Sequence, residues 1–236
     1  MNYTLAIDTA TSVCSAALFA DDAVLGERSA ITNQRHNETL PSMVGELLAM
    51  ADIMPAQIDL ICVSIGPGSF SGLRVGLSYA KGFAEGAGAK IITVCTLKAL
   101  SLRLAKAAEK SGLDLSRNIV PIVIARKEEV FGEMFFVIDG VAISASKTFI
   151  ANASSIGELL GEGAIIGGPG LNTLAFEDHF LSEHNLTLLA DVVPSAEEVG
   201  IIGRRQWLNS PDSFEDFASL EPRYIQEFTV RVGKGF

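Results

Sequence analysis

Residues 59–85 read DLICVSIGPGSFSGLRVGLSYAKGFAE. Leu60 to Ile65 is an apolar run of strand length, Gly66-Pro67-Gly68 is turn chemistry, and the residues that follow are small ones at helical spacing. The stretch predicts a buried strand, a tight loop and a helix. The loop Gly66-Pro67-Gly68-Ser69-Phe70-Ser71-Gly72 brings backbone N–H groups to a helix N-terminus, where the helix dipole favours an anion, and Ser69 or Ser71 is placed to cap that helix. It is not a Walker A loop, because Leu73 stands where the phosphate lysine would follow Gly72. Ser71 also breaks the last glycine of a dinucleotide fingerprint, and no acidic residue ends the next strand, IITVC. A phosphate cradle and a plain structural turn both stay open for this loop.

The helix has a pattern of its own. Gly72, Gly76, Ala80 and Ala84 recur every four residues, and Ser78, Gly82 and Gly86 lie on an adjacent row. Each interior glycine costs a helix about 1 kcal/mol relative to alanine, so several together need a compensating close approach. That approach is made either by a neighbouring element of the same chain or by a partner's helix.

The chain has 236 residues, 48% of them hydrophobic, enough to bury a substantial core as one large domain or two small ones. Eighteen basic against 28 acidic residues give a net charge of −10, which opposes independent binding to a phosphate backbone. Cys14, Cys62 and Cys95 are widely spaced in apolar surroundings and read as reduced, buried thiols of a cytoplasmic protein. No apolar run reaches membrane-spanning length and no leader pattern opens the chain, so a soluble, unsecreted protein is expected.

Three short strands, TLAIDT, VCSAALFA and AVLGERSA, open the chain as a meander. Asp8, Thr9, Thr11 and Ser12 form a polar turn after the first, suited to a phosphate or a metal-bound water, and equally to plain turn chemistry. Leu40, Met43, Val44, Leu47 and Leu48 give helical spacing within residues 33–50, with Asn37 a candidate cap. His36 beside Arg35 reads as a surface or hydrogen-bonding residue rather than a metal ligand. Lys90 to Cys95 is a further strand and Thr96 to Lys110 a helix.

Ser111 to Asn118 is the expected boundary between residues 1–112 and residues 113–236. The second half resumes with strands IVPIVIA, EVFGEMFFVI and VAISA, with Asp139-Gly140 as a hairpin turn. A helix over Ala153 to Leu160 follows, then AIIGGPG, a strand over Leu186 to Leu189 and a helix over Ser195 to Trp207. Ser195 and Glu198 have capping-box spacing, and a tail runs from Pro211, able to pack back on the first half. Both halves share the order three strands, helix, strand and glycine loop, the mark of an internal duplication.

The segments LAIDTATSVCSAAL, QRHNETLPSM and IGPGSFSGLRVGLSYAKGFA resemble the TsaB family of tRNA threonylcarbamoyladenosine biosynthesis proteins, clearly over the first hundred or so residues. The resemblance implies an α/β, two-lobed actin-like ATPase fold with duplicated mixed sheets and flanking helices. It also implies a non-catalytic partner of TsaD, the paralogue that transfers threonylcarbamoyl to N6 of the adenosine beside the anticodon, with the ATPase TsaE as third member. The catalytic relative's His-x-x-x-His metal pair would fall at Thr96 and Leu100, and neither replaces an imidazole. Two departures concern the second half: Ile124-Ala125-Arg126 stands for an Asp-Ala-Arg run, and Tyr224-Ile225-Gln226 for a Tyr-Leu-Arg run.

On this reading the partner interface is formed by His36, Thr39, Leu40, Met43 and Leu47 of the first helix with Gly72, Gly76, Tyr79 and Phe83 of the glycine helix. It would pair with TsaD, or with a second copy when TsaD is absent. Gly76→Leu is then expected to fold and lose the partner. Asp8, Thr9, Thr11, Gly66, Gly68 and Ser69 form the vestigial nucleotide or anion site. No cofactor or metal is expected on the chain alone, with ATP and tRNA entering only through the complex. Two other readings are a phosphotransferase holding ATP among Asp8, Thr9, Thr11, Gly66 and Gly168, and a metallopeptidase.

Overall fold

Tyr3–Asp8 (β1), Val13–Ala20 (β2) and Ala23–Ile31 (β3) form an antiparallel meander. Ile58–Ser64 (β4) and Lys90–Val94 (β5) join it in parallel, giving a five-stranded sheet in the order β3-β2-β1-β4-β5. This computed structural model describes residues 2–32, 35–160, 163–176, 178–210 and 219–225. Two helices, His36–Ala51 (α1) and Phe70–Ala87 (α2), cover one face of the sheet. Every residue of β2 is buried, as expected of a strand covered on both sides.

The second half builds a seven-stranded sheet from Asn118–Arg126 (β6), Glu129–Gly132 (β7), Phe135–Ile138 (β8), Val141–Ser144 (β9), Phe149–Ala151 (β10), Ala164–Gly167 (β11) and Thr187–Leu189 (β12). Its order is β10-β7-β6-β11-β12, with β8 pairing β6 and β9. Helix Thr96–Lys110 (α3) follows the first sheet in the chain but packs on β6, β8 and β9; Ala196–Asn209 (α6), late in the second half, packs on β1, β4 and β5. The halves thus exchange helices. One apolar core joins Ala6, Phe19 and Cys62 of the first sheet to Ile119, Val123 and Phe135 of the second.

The glycines of α6 make that exchange fit. A methyl group at Gly200 would lie 2.2 Å from the Phe19 ring, and one at Gly203 2.4 Å from Cys62 Sγ. Charge fixes the contact between α3 and α6. Lys106 Nζ donates to Glu197 and Glu198 at 3.0 and 2.8 Å, and Glu198 is fully buried.

Several expectations change. EVFGEMFFVI is two strands, since the run breaks at Glu133, whose carboxylate accepts from Ser144 Oγ and Thr148 Oγ1 at 2.6 and 2.8 Å. Asn37 lies inside α1, and the capping position falls to Arg35, which makes no side-chain cap. Ser195 does cap α6, but Glu198 turns to Lys106 instead of reaching back, so no reciprocal box forms. The helix expected over Ala153 to Leu160 is the single turn Ile156–Leu160 (α4), because Asn152 Oδ1 accepts from Ser154 N and Ser155 N and holds an Asx turn ahead of it. Asp178–Glu183 (α5) has no clear periodicity in the sequence.

Asp139 and Gly140 both have positive φ, as a two-residue hairpin of the favoured twist requires. Asn33, Gln226 and the stretch 211–218 of the expected tail lie outside the described residues. Residues 219–225 lie on the first sheet's side. Leu220 enters its core, Lys81 Nζ donates to Leu220 O at 2.8 Å, and Arg223 N donates to Ile65 O at 2.7 Å. Tyr224 stacks on Phe70 with ring centroids 4.9 Å apart, and its hydroxyl accepts from Arg74 Nε at 3.0 Å.

Candidate functional site

The glycine loop and the first turns of α2 are seated on the turn between β1 and β2. A methyl group at Gly68 would lie 2.2 Å from Ala10 O, at Gly72 2.1 Å from Thr9 O, and at Gly76 2.2 Å from Thr9 Oγ1. Real contacts of that kind do not occur, so only glycine fits at each. Thr9 Oγ1 donates to Gly72 O at 2.8 Å and closes the joint. The close approach that the small-residue row demanded is therefore made within the chain, and a leucine at Gly76 meets Thr9, not a partner.

Three of the loop's six N–H groups are spent on the chain itself. Gly66 N donates to Thr96 Oγ1 at 3.1 Å, Ser69 N to Ala10 O at 2.7 Å and Gly72 N to the Ser69 cap at 3.3 Å. Thr11, Gly68 and Ser69 line a cleft of about 540 Å3, closed from the other side by Ile124, Ala125 and Pro169. Asp8 and Thr9 are buried behind its wall. Asp8 Oδ1 accepts from Ala10 N at 3.0 Å. Burial pushes its carboxyl up to about 6, against the pull of the Ala10 N–H and the Ser64 hydroxyl, with the charge of Glu27 adding to the rise. Gly168, the other residue of the ATP reading, packs its backbone against Ile122 O.

The residues expected at a partner interface divide by depth. Leu40, Met43 and Leu47 are core residues packed with Leu5, Leu18 and Leu77, and Gly72 and Gly76 are buried on Thr9. Met43, Leu47, Gly72 and Gly76 cannot meet a partner in this conformation. His36 is buried as well, with Nε2 2.9 Å from Thr11 O and Nδ1 3.2 Å from Thr32 Oγ1, and so ties α1 to the β1–β2 turn. Thr39, Tyr79 and Phe83 are half-buried, with the two rings 6.0 Å apart.

What α1 and α2 present outward is a groove of about 450 Å3 walled by Asn37, Pro41, Arg74, Val75, Ser78 and Tyr79, with Leu40 at its floor. Gly82 and Gly86 are exposed on α2 and Gly45 on α1, and a methyl group on any of them would meet nothing within 4 Å. The signal for this face was the second small-residue row, Ser78, Gly82 and Gly86.

Thr96 and Leu100 are fully buried, Thr96 accepting from Gly66 N and Leu100 packed against Gly168. Among the described residues no group of three or more His, Cys, Asp or Glu side chains converges as a metal site. All three cysteines are free thiols; burial pushes Cys14 up to about 12 and raises Cys62 and Cys95 as well. No helix among the described residues is long and apolar enough to cross a membrane.

Residues 28–177 match the family model described as TsaD, tRNA N6-adenosine threonylcarbamoyltransferase. The chain is 35% identical over 130 residues to the tRNA threonylcarbamoyladenosine biosynthesis protein TsaB of Haemophilus influenzae, an alignment covering 54% of this chain and 51% of that protein. It thus spans about half the length of the curated TsaB relatives it matches. YeaZ from Pseudomonas aeruginosa superposes with a TM-score of 0.75 at 21% identity, covering 95% of this chain and 100% of YeaZ. The activator of the 2-hydroxyisocaproyl-CoA dehydratase from Clostridium difficile, solved with bound ADPNP, superposes at 0.51 and 7% identity over 91% and 98% of the two chains. The fold is that of the actin-like ATPases, two mixed sheets with flanking helices.

Proposed function

Because the chain belongs to the family of the tRNA N6-adenosine threonylcarbamoyltransferase TsaD, on its TsaB/YeaZ side, we propose that it is the non-catalytic partner of TsaD in forming threonylcarbamoyladenosine in tRNA. TsaE completes the assembly, and ATP and tRNA enter through the complex. One observation carries this reading. On the family resemblance TsaD's histidine pair would fall at Thr96 and Leu100, and both of these are committed to internal packing, with no imidazole to hold a metal.

The docking face is the outward side of α1 and α2. Three exposed helix glycines, Gly45, Gly82 and Gly86, cost about 1 kcal/mol each relative to alanine, and nothing in the chain requires them. A partner helix approaching closely across the groove supplies the requirement. Without TsaD the same face pairs with a second copy. The net charge of −10 supports a subunit that reaches tRNA only through its partners.

The test is co-purification with the TsaD of the same organism, followed by a tRNA modification assay with and without this chain. A stable complex whose activity requires this chain is expected, with no turnover by the chain alone. Modification by TsaD alone, or ATP turnover by the isolated chain, overturns the reading; the latter favours a phosphotransferase.

A further inference from the structure

A second cavity, of about 640 Å3, opens where the N-terminal end of α3, the β8–β9 hairpin and the returning segment 219–225 meet. Lys98 reaches it from the first turn of α3, Lys147 from the loop after β9 and Arg223 from the returning segment. None of these three side chains has a hydrogen bond or ion pair. In a chain with 18 basic and 28 acidic residues, three unpaired cations around one space run against the charge balance. Some cations elsewhere are matched, as Lys106 is by Glu198 and Arg204 by Asp22, while Arg35, Lys110 and Lys127 make no ion pair either; what sets Lys98, Lys147 and Arg223 apart is that they line one cavity.

The carboxylate in the wall, Glu133, is already engaged by two hydroxyls, so the cavity carries three positive charges against one negative. Like charges gathered on one space repel, and an anion between them relieves that cost. The main chain carrying two of these cations is fixed independently of any ligand. Arg223 is pinned through its N–H on Ile65 O, with its carbonyl against Gly66, and Lys98 shares the positive end of α3. Between them the wall is mixed, with Ile225 and Cys95 beside the hydroxyls of Ser144, Ser146 and Thr148.

We propose that this cavity binds a small organic phosphate, a monoester whose dianion is held by Lys98, Lys147 and Arg223 and whose apolar or aromatic body lies against Ile225 and Cys95. The net of two positive charges matches the monoester dianion, and charge-assisted hydrogen bonds from three cations are the strong kind. Because Arg223 and Ile225 belong to the returning segment, occupancy also fastens that segment to α3 and the hairpin. The site is independent of the partnership with TsaD and is tested on this chain alone.

Isothermal titration of the full chain with phenyl phosphate is expected to show one saturable site. Lys98→Ala, Lys147→Ala and Arg223→Ala should each weaken it about tenfold, the size of one charge-assisted contact. Lys110→Ala, at the far end of α3, serves as control and should leave binding unchanged. All four variants should melt with the wild type, since none of the three cavity side chains has a partner to lose; Lys98→Glu, which reverses the charge, should abolish binding. No saturable binding at millimolar phenyl phosphate overturns the proposal. So does equal weakening by Lys110→Ala, or full binding by the triple alanine variant.

Discussion

On its inner face α2 carries Gly72 and Gly76 where a methyl group would come within 2.2 Å of Thr9, while on its outer face Gly82 and Gly86 have nothing within 4 Å. The residue type and the four-residue spacing are the same on both sides. A glycine row therefore marks a close approach without saying by what. Inside, the approaching group is the β1–β2 turn; outside, the fold offers none, and the cost of about 1 kcal/mol per glycine points beyond the chain.

Substitutions on the two faces should separate them. Gly76→Ala is expected to cost about 3 kcal/mol by thermal or denaturant unfolding, because overpacking against a hydrogen-bonded backbone joint leaves little room to relax. Thr9→Ala in the same chain should return part of that loss, a coupling that a double-mutant cycle measures. If Gly76→Leu folds normally, the inner face is not what it is described to be.

Asp8 lies beneath the same joint. Its pKa of about 6 in the folded protein exceeds the ordinary 3.8, so folding favours the protonated acid. The stability this group contributes is full below pH 3.8 and is lost as pH rises through 6. Asp8→Asn removes the burden, and its advantage over the wild type should grow between pH 4 and pH 7, to about 3 kcal/mol. Melts that run parallel across that range would sink the assignment.

Smaller effects are expected at the start of α2 and on its outer face. Ser69→Ala loses the cap on Gly72 N and should cost about 1 kcal/mol. Gly82→Ala and Gly86→Ala should each stabilise the isolated chain by about 0.5–1 kcal/mol, since each replaces a helix glycine in open space. The same pair should weaken capture of TsaD in a pull-down. Stabilisation with undiminished capture would place the partner elsewhere.

The strand, loop and helix of residues 58–87 were legible because each is set locally, by an apolar run, a Gly-Pro-Gly turn and a serine cap. Helix α3 was legible to the residue for the same reason. Less legible was the break at Glu133, since it depends on Ser144 and Thr148, eleven and fifteen residues away. The capping-box reading of Glu198 failed because Lys106, far off in sequence, competes for the carboxylate. Which residues of α1 and α2 are exposed was only half legible, because periodicity alone does not tell the inward row from the outward one.

From the sequence alone came the order of three strands, helix, strand and glycine loop in the first half, the family resemblance, and the want of histidines at positions 96 and 100. These are properties of residue types and local spacing, and they need no partner atoms to be read. The second half, expected to repeat the first half's order, has five strands ahead of its first helix. Only the tertiary structure decided that Leu40, Met43, Leu47, Gly72 and Gly76 face inward and that α3 and α6 cross between the halves. It also gathered Lys98, Lys147 and Arg223, from three separate parts of the chain, around one cavity. Which side of a helix is buried, and which distant charges meet, depends on contacts between residues far apart in the chain.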